Sequence, residues 1–143
     1  MKILIVFYSS SGHTKKVVDL IEERLSNNGH EVTVRNALTT QAEMVDEAEL
    51  LLIGTPVHGY ILFGQKPARE VKEFLKDELP EDLHAKSVIA FATYLFFPAG
   101  ALNTVKKTIE TRNGRIIGAF ARRRTNKADL ADSILDCIEK SFS

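Results

Sequence analysis

The six residues Ser9-Ser10-Ser11-Gly12-His13-Thr14 gather more groups able to do chemistry than any other stretch of this 143-residue chain. They offer hydroxyls, an imidazole and a glycine that lets backbone approach a ligand closely, just ahead of a helical pattern. That arrangement suits a doubly charged phosphate, because the first N–H groups of a helix lack internal partners and the helix dipole favours an anion there. The hexamer is not a Walker loop: it lacks the GxxxxGK[ST] spacing and no lysine closes it. Nor is it the GxGxxG turn of a dinucleotide site. Taken alone it equally suits a Ser/Gly turn that merely caps a helix. Its place directly after a buried strand points to phosphate. His13 either adds charge to that phosphate or stands exposed in the first helical turn.

The elements that must position this loop are legible as an alternation. Residues 2 to 8, KILIVFY, form a continuous β-branched and aromatic run, the mark of a strand buried on both faces of a parallel sheet. From His13 to about Asn28, apolar residues at Val17, Val18, Leu20, Ile21 and Leu25 recur at helical spacing, and Asn28-Gly29 ends the helix. Strands follow over Glu31 to Arg35, Glu49 to Ile53, Lys86 to Thr93 and Arg115 to Ala121. Helices follow over about Thr40 to Glu47, Pro67 to Leu79 with Pro67 in the first turn, Gly100 to Thr111, and Lys127 to Ser141. Five βα units without a repeat or linker predict one α/β domain over 1–143, a doubly wound five-stranded parallel sheet of order 2-1-3-4-5. Ligands of such sheets lie beyond the carboxyl ends of the strands where the winding reverses, so the loops of interest start at Ser9, Thr55 and Thr93.

On these three loops the sequence resembles the flavodoxin family. Ser9-Ser10-Ser11-Gly12-His13-Thr14 matches the family's phosphate pattern [ST]-x-[ST]-G-x-T. Gly54-Thr55-Pro56-Val57-His58-Gly59-Tyr60 stands where its second, Gly-led loop follows strand 3, and Thr93-Tyr94-Leu95-Phe96-Phe97-Pro98-Ala99-Gly100 stands where its third follows strand 4. The resemblance covers essentially the whole chain and is to the short-chain form.

The resemblance implies FMN as cofactor, its phosphate on the first loop and its isoalloxazine ring clamped by the second and third. It implies electron transfer through oxidised, semiquinone and hydroquinone forms of the flavin, tuned rather than catalysed by the protein. Tyr94 and Phe96 then fall where a stacking aromatic is expected and Tyr60 covers the other ring face, while Phe97 suits a core or an oligomer contact. The peptide between His58 and Gly59 matches the position where a turnover presents a carbonyl to the flavin, which glycine permits cheaply. Two further functions stay open: a flavodoxin-like oxidoreductase acting on a quinone or porphyrinogen, with His58 or Tyr60 in proton transfer, and a flavin-free binding module on the same fold.

Charge narrows the partners. Lys plus Arg and Asp plus Glu are both 19, so no whole-molecule attraction to nucleic acid is implied. The partners expected are redox proteins, a donor reductase and an acceptor. The third loop is apolar at Leu95, Phe96, Phe97 and Pro98 where many family members are acidic, which suits a hydrophobic or quinone-like acceptor. Arg122-Arg123-Arg124 reads as a solvated turn. The sharper reading is a crevice rim that steers an acidic partner or a nicotinamide phosphate and matters less to the flavin. The single cysteine, Cys137, fits a helix core and excludes an internal disulfide or an iron–sulfur cluster. A cytoplasmic setting is expected. The apolar run at the start is too short for a signal peptide or a membrane span.

Overall fold

The apolar runs assemble in chain order as β1 (Lys2–Phe7), α1 (His13–Asn27), β2 (Glu31–Asn36), a 3₁₀ turn (Ala37–Thr39), α2 (Ala42–Glu47), β3 (Leu50–His58), β4 (Lys66–Pro67), α3 (Arg69–Asp77), β5 (Ser87–Tyr94), α4 (Asn103–Thr111), β6 (Arg115–Arg123) and α5 (Lys127–Phe142). This is a computed structural model, and it describes residues 1–58, 66–96 and 100–143. The five long strands are parallel in the order β2-β1-β3-β5-β6, which is the expected 2-1-3-4-5 winding; two-residue β4 pairs antiparallel to β3 off that path.

Strand alternation divides the core in two. Ile3, Ile5, Phe7, Leu50, Leu52, Ile89 and Phe91 face α1 and α5, which supply Val17, Val18, Ile21, Leu25, Leu130, Ala131, Ile134 and Ile138. Leu4, Val6, Leu51, Ile53, Val88 and Ala90 face the other layer, where Val45, Val71, Phe74, Val105 and Ile109 sit on α2, α3 and α4. Each fully buried aliphatic side chain is worth roughly 1.5–3 kcal/mol, so the central strands are the most strongly held part of the molecule. Their carboxyl ends are correspondingly fixed, and the site stands on them. Cys137 packs at the margin of the first layer and donates its thiol to Ile117 O at 3.4 Å.

Several boundaries differ from the sequence reading for local reasons. β3 does not stop at Ile53, because Gly54, Thr55 and Pro56 continue to pair with Phe91, Ala92 and Thr93 of β5. Proline is tolerated there because β1 has ended: its last pair with β3 is Phe7 with Gly54. α3 starts at Arg69 rather than Pro67, which is extended and pairs with Val57 in β4. The Ala68 N–H donates to Thr55 Oγ1 at 2.8 Å and draws this entry against β3. α2 begins at Ala42 rather than Thr40, since Asn36 Oδ1 accepts the Leu38 N–H at 2.9 Å and Thr40 Oγ1 donates to Asn36 O at 2.8 Å, closing the 3₁₀ turn first. α4 begins at Asn103 rather than Gly100, and β6 runs on to Arg123, paired with Tyr94.

Candidate functional site at the carboxyl ends of the central strands

The first loop folds around one hydroxyl. Ser9 Oγ accepts the N–H of Gly12 at 3.1 Å and of Lys15 at 3.3 Å, so this serine shapes the turn. Gly12 closes it at φ +87°, a left-handed conformation that a side chain would strain. Ser10 and Ser11 are exposed. With no side-chain cap from Gly12, the His13 and Thr14 N–H groups at the start of α1 have no partner among the described residues. Thr14 points inward: its Oγ1 lies 3.0 Å from Thr93 Oγ1 and both residues are buried, tying α1 to the end of β5. Two facing hydroxyls use one proton between them, and the other finds no acceptor among the described residues.

At the third loop Tyr94 is partly buried, and its carbonyl accepts the Arg124 N–H at 2.9 Å. Leu95 and Phe96 beside it are 52% and 54% exposed, an unusual state for two consecutive large apolar residues. Gly100 is exposed at φ +74°. The segment expected as a second loop is strand as far as His58. Within it Thr55 is fully buried, with Oγ1 accepting from Ala68 N–H and donating to Pro56 O at 2.8 Å, so it holds the start of α3 and offers no free donor to a ligand. Pro56 is buried and Val57 partly so. Gly59 and Tyr60, with Phe97 and Pro98, lie outside the described residues.

Electrostatics mark the first loop more strongly than its residue types do. Among the described residues His13 Nδ1 is buried with no hydrogen-bond partner, and so is Arg124 Nε. The His13 imidazole is held below its ordinary pKa, first by burial and then by the charges of Lys127, Arg124 and Lys16. Lys127 is lowered as well, by burial and by Lys16 and Arg124. The arginine run divides: Arg122 binds Asp129 at 2.7 Å and Arg123 is exposed, while the charge of Arg124 reaches His13 in the first loop. Lys16 and Lys127 escaped the sequence reading. The signal for them is their place in the first turns of α1 and α5, where the helix dipole disfavours a cation. Among the described residues no group of three or more metal-ligating side chains occurs.

An open parallel sheet of order β2-β1-β3-β5-β6, with helices on both faces, places the chain among the doubly wound α/β domains. Within that class, the sequence profile of the flavodoxin domain matches residues 4–127. The chain is 30% identical to a flavodoxin of Clostridium saccharobutylicum over 94 residues, 65% of this chain, and that match spans 56% of the relative's length. Its fold is similar to that of two-electron reduced Megasphaera elsdenii flavodoxin, with a TM-score of 0.82 at 22% identity over 96% of this chain and 98% of that one. It is also similar to oxidised flavodoxin 2 of Bacillus cereus, with a TM-score of 0.80 at 18% identity over 99% and 100% of the two chains. The chain belongs to the flavodoxin family.

Proposed function

We propose that this chain binds FMN and passes electrons between redox partner proteins. The observation that carries the reading is the first loop: two helix N–H groups and a buried imidazole nitrogen without partners, at the carboxyl end of β1 and in a cationic setting. These residues fit a terminal phosphate. Ser9 and Gly12 hold the loop open, His13 and Thr14 donate backbone N–H groups, and the buried Thr14–Thr93 pair fixes α1 against β5 beneath them. Tyr94 supplies a flat apolar face, and Leu95 and Phe96 extend it to the surface where a partner docks. Gly59 and Tyr60 belong to the same proposed pocket by their place in the sequence. Bound FMN supplies the redox chemistry, accepting and releasing electrons one or two at a time.

The exposed pair Leu95 and Phe96 also favours a second reading, an oxidoreductase that accepts a quinone or porphyrinogen on that apolar edge. Flavin binding itself is tested by titrating the purified chain with FMN and with riboflavin. FMN should bind at least tenfold more tightly, since each charge-assisted hydrogen bond to the phosphate is worth about 1.5–3 kcal/mol. Equal affinities would refute a phosphate site at Ser9–Thr14. Rapid turnover of a quinone without a partner protein would favour the oxidoreductase.

A further inference from the structure

The cations around the first loop are arranged against their own stability. Lys16 stands in the first turn of α1 and Lys127 begins α5, each at the end of a helix where the dipole repels positive charge. The two helices lie side by side on one face of the sheet and are joined further along by Arg24 and Asp132. Arg124 is held through its backbone. Its N–H binds Tyr94 O at 2.9 Å, one residue beyond the buried Thr93, and its own carbonyl accepts Lys127 Nζ at 2.5 Å. The charges of Lys16, Arg124 and Lys127 reach His13, and those of Lys16 and Arg124 reach Lys127, so four basic groups from α1, α5 and the turn between β6 and α5 gather at the first loop.

No acid neutralises them. α1 has no acidic residue in its first turn, and Asp129, the acid in the first turn of α5, is held by Arg122 at 2.7 Å. His13, Lys16, Arg124 and Lys127 form no salt bridge with any described residue, and the stretches 59–65 and 97–99 contain no Asp or Glu. Two buried nitrogens of the cluster, His13 Nδ1 and Arg124 Nε, have no hydrogen-bond partner among the described residues. An unpartnered buried polar group is unfavourable, and gathering like charges adds to that cost, so the arrangement makes sense when a small anion completes it.

We propose that His13, Lys16, Arg124 and Lys127 form a charge-bearing wall of the first loop that receives the dianion of a phosphomonoester. The inference deepens the flavin reading and rests on it only for which phosphomonoester is the natural ligand. It also assigns Arg124 to the anion, apart from Arg122 and Arg123. The phosphate supplies the acceptor oxygens that His13 and Arg124 lack, and its charge relieves the repulsion among the four cations. Binding therefore draws a proton onto His13. In the free chain burial and the charges of Lys127, Arg124 and Lys16 keep the ring neutral to lower pH than usual; the dianion reverses this. Affinity then falls as pH rises through the bound-state value of His13, while below about pH 6 the phosphate itself takes up a proton and binding weakens again.

The test follows the His13 ring resonances by NMR across pH in the full chain, alone and with inorganic phosphate, FMN or riboflavin. His13 should titrate below the ordinary histidine value in the free chain, and about one unit or more higher with phosphate or with FMN, but should not move with riboflavin. Changing Lys16, Arg124 and Lys127 together to Ala should weaken both phosphate and FMN at least tenfold and leave riboflavin unchanged. A His13 resonance unmoved by either anion, or a triple variant that keeps wild-type affinity for both, would overturn the cationic wall even if FMN binds tightly. Failure of the wild-type chain to bind FMN, with phosphate still moving His13, would instead refute the flavin reading and uphold the anion site.

Discussion

Replacing Thr14 by valine removes one hydroxyl from a pair that is wholly inside the protein. Thr14 and Thr93 are 1% and 0% exposed, their oxygens are 3.0 Å apart, and 79 positions of sequence separate them. Valine keeps the shape of threonine, so the loss is confined to the hydrogen bond and to the hydroxyl left facing a methyl group. A buried hydroxyl without a partner costs about 1–3 kcal/mol, whereas replacing both partners by apolar groups of the same shape is close to neutral. Thr14→Val and Thr93→Val should therefore each destabilise the flavin-free chain by about 1–3 kcal/mol, and the double variant by less than either. Urea unfolding of wild type, both single variants and the double variant closes the cycle, and the coupling energy should exceed either single loss, reaching about 2–6 kcal/mol where the double variant is close to neutral. Additivity within about 0.3–0.5 kcal/mol would show that the two hydroxyls do not depend on each other, and the tie between the first loop and β5 would be lost from the description of the site.

Two further perturbations probe the frame around that tie. Gly54→Ala should cost about 1–3 kcal/mol by overpacking, because a Cβ there meets Phe91 Cζ at 2.3 Å and Cε2 at 2.5 Å within a fully buried part of the sheet. Adding Phe91→Leu to it should recover part of the loss in a thermal melt, and no recovery would place the strain elsewhere. Asp82 has its carboxyl pKa lowered first by the hydrogen bond from the His84 N–H and then by that from the Asn113 side chain. Its contribution is fully present above the ordinary carboxylate range and disappears as pH falls through the lowered value. Asp82→Asn should accordingly flatten the acid limb of the stability curve below about pH 4 and leave flavin binding untouched, and an unchanged acid limb would remove Asp82 from that balance.

Order and type of the elements could be read directly, because a strand covered on both faces must be continuously apolar and a surface helix must repeat its apolar residues every three or four positions. KILIVFY and the Val17, Val18, Ile21, Leu25 stripe satisfy those rules without reference to anything distant. The winding order followed from strict alternation and the handedness of crossovers, and with it the edge of the sheet where the site lies. Where segments begin and end was a different matter. Pro67 looks like a helix start until Val57 and the Thr55 hydroxyl compete for its neighbourhood, and Gly54 looks like the head of a loop until the ring of Phe91 fills the space that its missing side chain leaves.

The site shows the same division. Ser9 to Thr14 could be read as a candidate anion loop by composition, since hydroxyls and glycine ahead of a helix are a local pattern. What each residue does there depends on partners far along the chain. Thr14 turns inward because Thr93 waits at the end of β5, Thr55 serves α3, and Arg124 leaves its two neighbouring arginines because Tyr94 holds its backbone. Lys16 and Lys127, 111 positions apart by subtraction of their numbers, become neighbours only because α1 and α5 pack on the same face. Periodicity and turn chemistry act over a few residues, so the sequence alone determined the sheet and the loop. Hydroxyl pairing and the sum of charges depend on distance in space, so only the tertiary structure could decide which side chains gather at the first loop and which hold the frame.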